Sequence, residues 1–176
     1  MCLCQQRVGT MNDMRDEARG KTGRPTETRN KPERPRDRLG RPQPWGAENT
    51  LDLEDFDALP LEENDRLGRE HLNAGRYFPS HEAWETAWKQ TKGTEDHEFF
   101  KGLSQLGAGF THYQRGNPVG AALLMWRGIS RVRAYAPHHR DLDIDPLDAA
   151  CERNIEVLGP LPRDAAELPP IELPQL

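Results

Sequence analysis

Cysteine is scarce here. Three residues, Cys2, Cys4 and Cys151, make an odd set, and that excludes a disulfide framework of the kind that braces small secreted domains. The C-x-C at the N-terminus lacks the paired spacing of a zinc site. Such sparse usage suits a reducing compartment, and a cytoplasmic location is expected. Long apolar runs are also missing. No stretch approaches transmembrane length and the N-terminus has no apolar signal-peptide core, so no membrane partner is expected. Met1, Met11 and Met14 are each compatible with the start of the chain. No glycine-rich phosphate loop, cofactor fingerprint or nucleophile motif stands out, so no organic cofactor and no catalytic residue is assigned.

Apolar residues make up 35% of the chain and charged residues 30%, but they are unevenly spread. Residues 1–50 hold 11 Lys+Arg against 7 Asp+Glu, five prolines and few large aliphatics, whereas the remainder holds 13 against 22. The first stretch cannot bury enough apolar surface to offset the entropy of ordering it. Residues 1–51 are therefore read as a disordered or extended basic arm, dispensable for folding, with Trp45 the residue best able to anchor it. Its charge could meet nucleic acid. A solvated tail is the better reading, because no aromatic residues interleave the charges. "PLPRDAAELPPIELPQL" puts five prolines into residues 160–176 and reads as a second tail. Residues 52–159 are left as the folded domain.

That domain reads as all-α, a small bundle of about five helices arranged as antiparallel hairpins, with no convincing strand. The first spans about 61–74, stopped by Gly75. The second starts near Ser80 as N-cap and ends around 91–93. The third runs over about 95–115. Asn117 and Pro118 open the fourth, which reaches about Ala136, and Asp145 and Pro146 open the fifth, closed by Gly159. In the third, Phe99, Leu103, Leu106, Phe110 and Tyr113 form a core stripe. Beside them lie Gly102, Gln105, Gly109 and His112. Glycine inside a helix costs about 1 kcal/mol relative to alanine, so two on one face predict a second backbone in close approach. The fourth helix has a broad apolar arc of Val119, Ala122, Leu123, Trp126 and Ile129, and Trp126 is read as core.

Two blocks, "LNAGRYFPSHEAWETAW" and "FKGLSQLGAGFTHYQRGNPVGA", resemble the family catalogued as domain of unknown function 309, small bacterial and archaeal helical proteins. The first carries Gly75, Tyr77, Phe78, His81, Glu82, Glu85 and Trp88 on an H-E-x-x-E-x-x-W pattern. The second carries Gly102, Leu103, Gln105, His112, Gly116, Asn117, Gly120 and Ala121. "DRLGRPQPWG" is similar to an extension on actinobacterial members. Pro79 departs from the pattern, where an acidic residue is common. The resemblance covers roughly residues 36–158. It implies an all-α bundle and no established activity.

Functional interest centres on polar side chains placed on faces that should be enclosed. His81, Trp84, Glu85 and Trp88 share one face of the second helix, because they are three, four and seven residues apart. If it packs on the third helix, His81, Glu85, Gln105 and His112 converge, with Glu82 beside them and Trp84 and Trp88 as walls. Three readings stand open. A satisfied hydrogen-bond network would fix helix register. A divalent-metal site would use His81, Glu85 and His112, with Glu82 a candidate fourth ligand; "HEAWE" is not H-E-x-x-H, so metalloprotease chemistry does not follow. A catalytic site would make Glu85 a general base and a histidine its partner. Cys151 reads as a small core hydrophobe, and His138 and His139 as a solvated pair. The expected function is that of a non-catalytic interaction module with a protein or peptide partner, metal binding being the alternative. Helix hairpins of this kind build tetratricopeptide-type grooves, but the roughly 34-residue period of such repeats is absent. Nucleic acid is not an expected partner, and self-association is left open.

Overall fold

The computed structural model describes residues 34–176. The first 33 residues of the expected arm, Cys2 and Cys4 among them, lie outside the described residues. Five helices carry the fold: α1 (Leu61–Asn73), α2 (Tyr77–Gln90), α3 (His97–Gln114), α4 (Pro118–Val132) and α5 (Ile144–Leu158). Each packs chiefly on its neighbours in sequence, as short links between antiparallel helices require.

Two of those links use one device. Gly75 (φ +72°) and Gly116 (φ +75°) take the left-handed conformation just past α1 and α3. Arg76 N–H then donates to His71 C=O and Asn117 N–H to His112 C=O. This is the double reversal that caps helices ending in glycine. At the second link, Asn117 immediately caps α4, accepting from Gly120 N–H at 2.9 Å, with Pro118 in the first turn.

Two other helix starts differ from expectation. α2 begins at Tyr77, so Pro79 lies inside its first turn, where a proline forfeits no intrahelical bond. Ser80 is no cap: its hydroxyl donates to Gly68 C=O on α1 at 2.8 Å. α5 begins at Ile144, one residue before Asp145. A two-residue antiparallel hairpin, β1 (His138–His139) and β2 (Leu142–Asp143), also precedes α5. Its turn residues Arg140 and Asp141 have positive φ, a primed turn written without the usual Asn-Gly signature.

The core lies along α3. Phe99, Phe100, Leu103, Leu106 and Phe110 are all but inaccessible, joined by Trp84, Met125, Ile129 and Ile144. The glycine stripe works as expected, and the second backbone is that of α4. A Cβ on Gly102 would sit 2.9 Å from Gly128 C=O, and one on Gly109 would sit 3.0 Å from Met125 N. Cys151 is a core residue, its thiol pushed up to about 12 by burial.

Outside the helices the chain is irregular but held. Gly40 (φ +72°) seats its backbone on the Phe78 ring, where a Cβ would come within 2.5 Å. Arg115 donates to Leu39 C=O, and Arg41 donates to Arg115 C=O at 3.0 Å. The guanidinium groups of Arg36 and Arg115 lie 5.7 and 5.4 Å from the Phe78 ring centre. The expected boundary at residue 52 thus falls within a compact unit that starts at Arg34. Trp45 is 65% exposed and is not the anchor. Residues 159–167 run through turns and 168–176 through irregular chain, with Ile171 and Leu176 packed against the core of the bundle.

Candidate functional site

The second helix brings together three of the expected residues. Ligand atoms of His81, Glu82 and Glu85 all lie within 4.8 Å of one another. The imidazole is fixed from behind. His81 Nδ1 lies 3.0 Å from Ser104 C=O and 3.0 Å from Ser104 Oγ. A carbonyl oxygen can only accept, so Nδ1 carries the proton and donates to it. That leaves Nε2 facing outward, 3.8 Å from a Glu82 oxygen and 3.6 Å from a Glu85 oxygen. The close approach behind the ring is possible because α3 has glycine there: a Cβ on Gly107 would meet the His81 backbone nitrogen at 2.9 Å.

This tautomer also disposes of a Ser–His–Glu relay, which the distances alone would suggest. With Nδ1 protonated, the imidazole cannot take a proton from Ser104 Oγ. Ser104 is in any case only 5% exposed.

The site is half open. The side chains of His81, Glu82 and Glu85 keep 24%, 34% and 32% of their accessibility. Burial pushes the Glu82 carboxyl up from its ordinary value and the adjacent Glu85 charge adds to this, while His81, Arg36 and Lys89 pull it down. Lys89 reaches a Glu85 oxygen at 3.2 Å from the solvent side.

The expected four-residue network does not form. Gln105 and His112 share the glycine stripe, and that stripe faces α4 rather than α2. His112 Nδ1 accepts from Asn117 Nδ2 at 2.8 Å and lies against Gly120. Burial, with Arg115 and His81 nearby, holds its pKa below the ordinary value. His112 is therefore no member of the triad. Gln105 Oε1 is buried and has no hydrogen-bond partner among the described residues. Glu85, expected in the interior, faces partly to solvent. Trp84 is no wall of the site: it is fully buried against Gly68 of α1, and its Nε1 donates to Asp65 at 3.3 Å. Trp88 is half-buried and donates to His97 Nε2 at 2.9 Å. Trp126, read as core, is 56% exposed.

The enclosed polar cluster lies elsewhere, between α1, the start of α3 and the β-hairpin. Asp65 is 7% exposed; it pairs with Arg69 at 3.0 Å and lies 3.5 Å from Arg140. Arg140 also meets Asp96 at 2.9 Å, and His139 meets Asp96 at 2.6 Å. His139 is thus bound, not solvated, and this knot pins the β-hairpin to α1 and α3. The sequence signal was Asp65 and Arg69 one turn apart on the side of α1 that carries Gly68. Buried His71 pairs with the exposed Glu54 carboxylate at 3.1 Å, beside a cavity of about 460 Å³ that also borders Arg38, Arg76 and Tyr77 and shares no residue with the triad.

Fold and site define a class: an all-helical domain with a half-open imidazole–carboxylate triad on its second helix. Residues 66–124 match the family model described as Domain of unknown function (DUF309), and the resemblance carried by the two sequence blocks holds over this segment. The matched stretch contains His81, Glu82, Glu85, Gln105 and His112. No curated protein and no solved structure matches the chain. Among the described residues no helix is long and apolar enough to cross a membrane.

Proposed function

We propose that the domain is a non-catalytic binding module that takes a divalent first-row metal ion at His81, Glu82 and Glu85. The orientation of His81 carries this reading. Its Nδ1–H is committed to the Ser104 carbonyl, so Nε2 is the nitrogen left to coordinate, and it lies beside two carboxylates. Metal-ligating histidines are held in this way, the second ring nitrogen bonded to a carbonyl or carboxylate. One imidazole with two carboxylates suits manganese, cobalt or zinc better than the all-oxygen cages of calcium. A cation would also relieve the repulsion between Glu82 and Glu85. Three ligands on one half-open helix face leave coordination positions free for water or for a group from a partner, which is how an ion here would serve binding.

Titration calorimetry with Mn²⁺, Co²⁺ and Zn²⁺ tests this. One site is expected. Glu85→Gln, which keeps size and removes charge, should weaken binding by about tenfold or more, because a required anionic ligand is lost. Thermal stability of the metal-free variant should stay close to that of the native chain, since the side chain is partly solvated. Affinity should rise with pH as Glu82 gives up its proton. Absence of binding by all three ions, or binding unchanged in both Glu85→Gln and His81→Ala, would sink the reading.

A further inference from the structure

The C-terminal residues are held in a way that a merely packed tail does not need. Asn154 of α5 takes both polar groups of one residue: its Nδ2 donates to Glu172 C=O at 2.8 Å, and Glu172 N–H donates to its Oδ1 at 2.7 Å. Asn73, at the end of α1, does the same for Leu176, at 2.8 and 3.0 Å. Tyr113 Oη of α3 donates to Pro169 C=O at 2.9 Å. A carboxamide used so replaces the edge of a β-sheet. It reads the main chain of an extended segment and ignores its side chains. Residues 172 and 176 lie an even number of positions apart, so an extended chain turns both to one side, about 13 Å from each other. The two clamps come from different helices, yet they match that register. Side-chain selection is added by Arg153, whose guanidinium takes both Glu172 oxygens at 2.6 Å, and by the contact of Ile171 and Leu176 with the core.

Asn154 is only 1% exposed. That burial includes the cover the tail provides: among the described residues the carboxamide bonds only Glu172, so an extended segment seated here closes both of its bonds at once and shields them from water. The tail does not fill the groove. A cavity of about 410 Å³ remains between residues 172–176 and the segment Asp141–Ala150. Prolines at 169, 170 and 174 keep the segment extended before it docks, which lowers the entropy lost on binding.

We propose that this groove, between the ends of α1 and α3 and the flank of α5, is a binding site for an extended acidic peptide of a partner protein. The chain's own residues 169–176 are its tethered, competing occupant. The partner segment carries a β-branched or leucine side chain, then Glu, then an apolar residue four positions on, as Ile171, Glu172 and Leu176 do here. Larger side chains than those of the tail would use the remaining cavity. The site is separate from the metal triad on α2 and does not depend on it.

The test uses the full chain and a fluorescent peptide of the sequence of residues 166–176. In a full-length variant whose tail cannot dock, Ile171→Asp with Glu172→Ala, the labelled peptide should bind with its polarisation saturating. In the native chain its apparent affinity should be weaker by about tenfold or more, because the tethered tail competes at high effective concentration. Adding Arg153→Glu, at an exposed position that leaves the core intact, should abolish binding of this peptide. A peptide with Lys in place of Glu172 should restore it. Three results would overturn the proposal: no binding to the tail-disabled variant while its helical content and melting are native; equal binding by both chains; or a native chain that runs as a dimer dissolved by the peptide, which would seat a second copy's tail in the groove in place of a partner.

Discussion

Burial governs two of the histidines. His71 and His112 both titrate below the ordinary histidine value of 6.5. For each the largest cause is burial, which penalises the charged ring, and a nearby arginine adds to it: Arg76 for His71 and Arg115 for His112. The Glu54 carboxylate opposes the shift at His71. A depressed folded-state pKa means that the unfolded chain binds the proton more readily. The stability these residues contribute is therefore complete above the unfolded value and is lost as pH falls through their folded values. Melting followed between pH 8 and 5 should show a falling transition temperature below about 6.5. His71→Gln should flatten that fall. A native transition temperature that rises on acidification through this window would contradict the assignment. At His81 the lesson is geometric. Its position on a tryptophan-bearing face suggested enclosure, but the two tryptophans turn toward α1 and His97, and the imidazole is left at the rim. A one-helix wheel places His81 and Trp84 60° apart on the usual period, and that angle is wide enough to separate core from cleft.

The helices themselves were legible from their punctuation. Gly75, Gly116, Asn117 and Pro118 are local devices whose physics is complete within a few residues, so sequence reading placed the ends of α1, α3 and the start of α4 well. The start of α2 was missed because Ser80 resembles a cap, while a proline in the first turn is equally compatible with a helix already begun. The hairpin before α5 was invisible because two-residue strands have no alternation to detect. Periodicity in α3 revealed a polar stripe but could not say which neighbour it faced. The stripe's glycines, Gly102 and Gly109, lie against α4, whereas Gly107, outside the stripe, is the one pressed on α2. Gly102→Ala tests this. The added methyl would lie 2.9 Å from Gly128 C=O and 2.7 Å from a Val132 methyl, so α3 and α4 must separate. Helix propensity favours alanine by about 1 kcal/mol, yet overpacking of a backbone contact costs about 1–3 kcal/mol. A net loss of stability is expected from chemical denaturation with an unchanged slope. A stabilised variant would show that the interface yields freely.

At the scale of the whole molecule, the folded unit is larger than its helices. Composition marked residues 34–51 as part of an unstructured arm, because composition counts apolar side chains and this stretch supplies few. What binds it is mostly backbone and charge. Gly40 lies flat on Phe78, Leu39 C=O accepts from Arg115, and two guanidinium groups flank the same ring. Phe78 is only 8% exposed in this setting. Its ring would be uncovered if the stretch were removed. Fully exposing a phenylalanine forfeits about 1.5–3 kcal/mol, and each kcal/mol moves the transition of a domain this size by about 2–4 °C. A chain beginning at residue 52 should therefore melt about 5 °C or more below one beginning at residue 34. Truncation can act through aggregation, so a point variant in the full chain gives an independent reading. Gly40→Val places a branched side chain where φ is +72° and where even a Cβ meets the ring at 2.5 Å. It should lower the transition by a similar amount. Deletion and point variant acting together mean that the stretch is a working part of the fold. Equal melting of both truncated chains, with Gly40→Val unchanged, would mean that Phe78 is shielded by the helices alone.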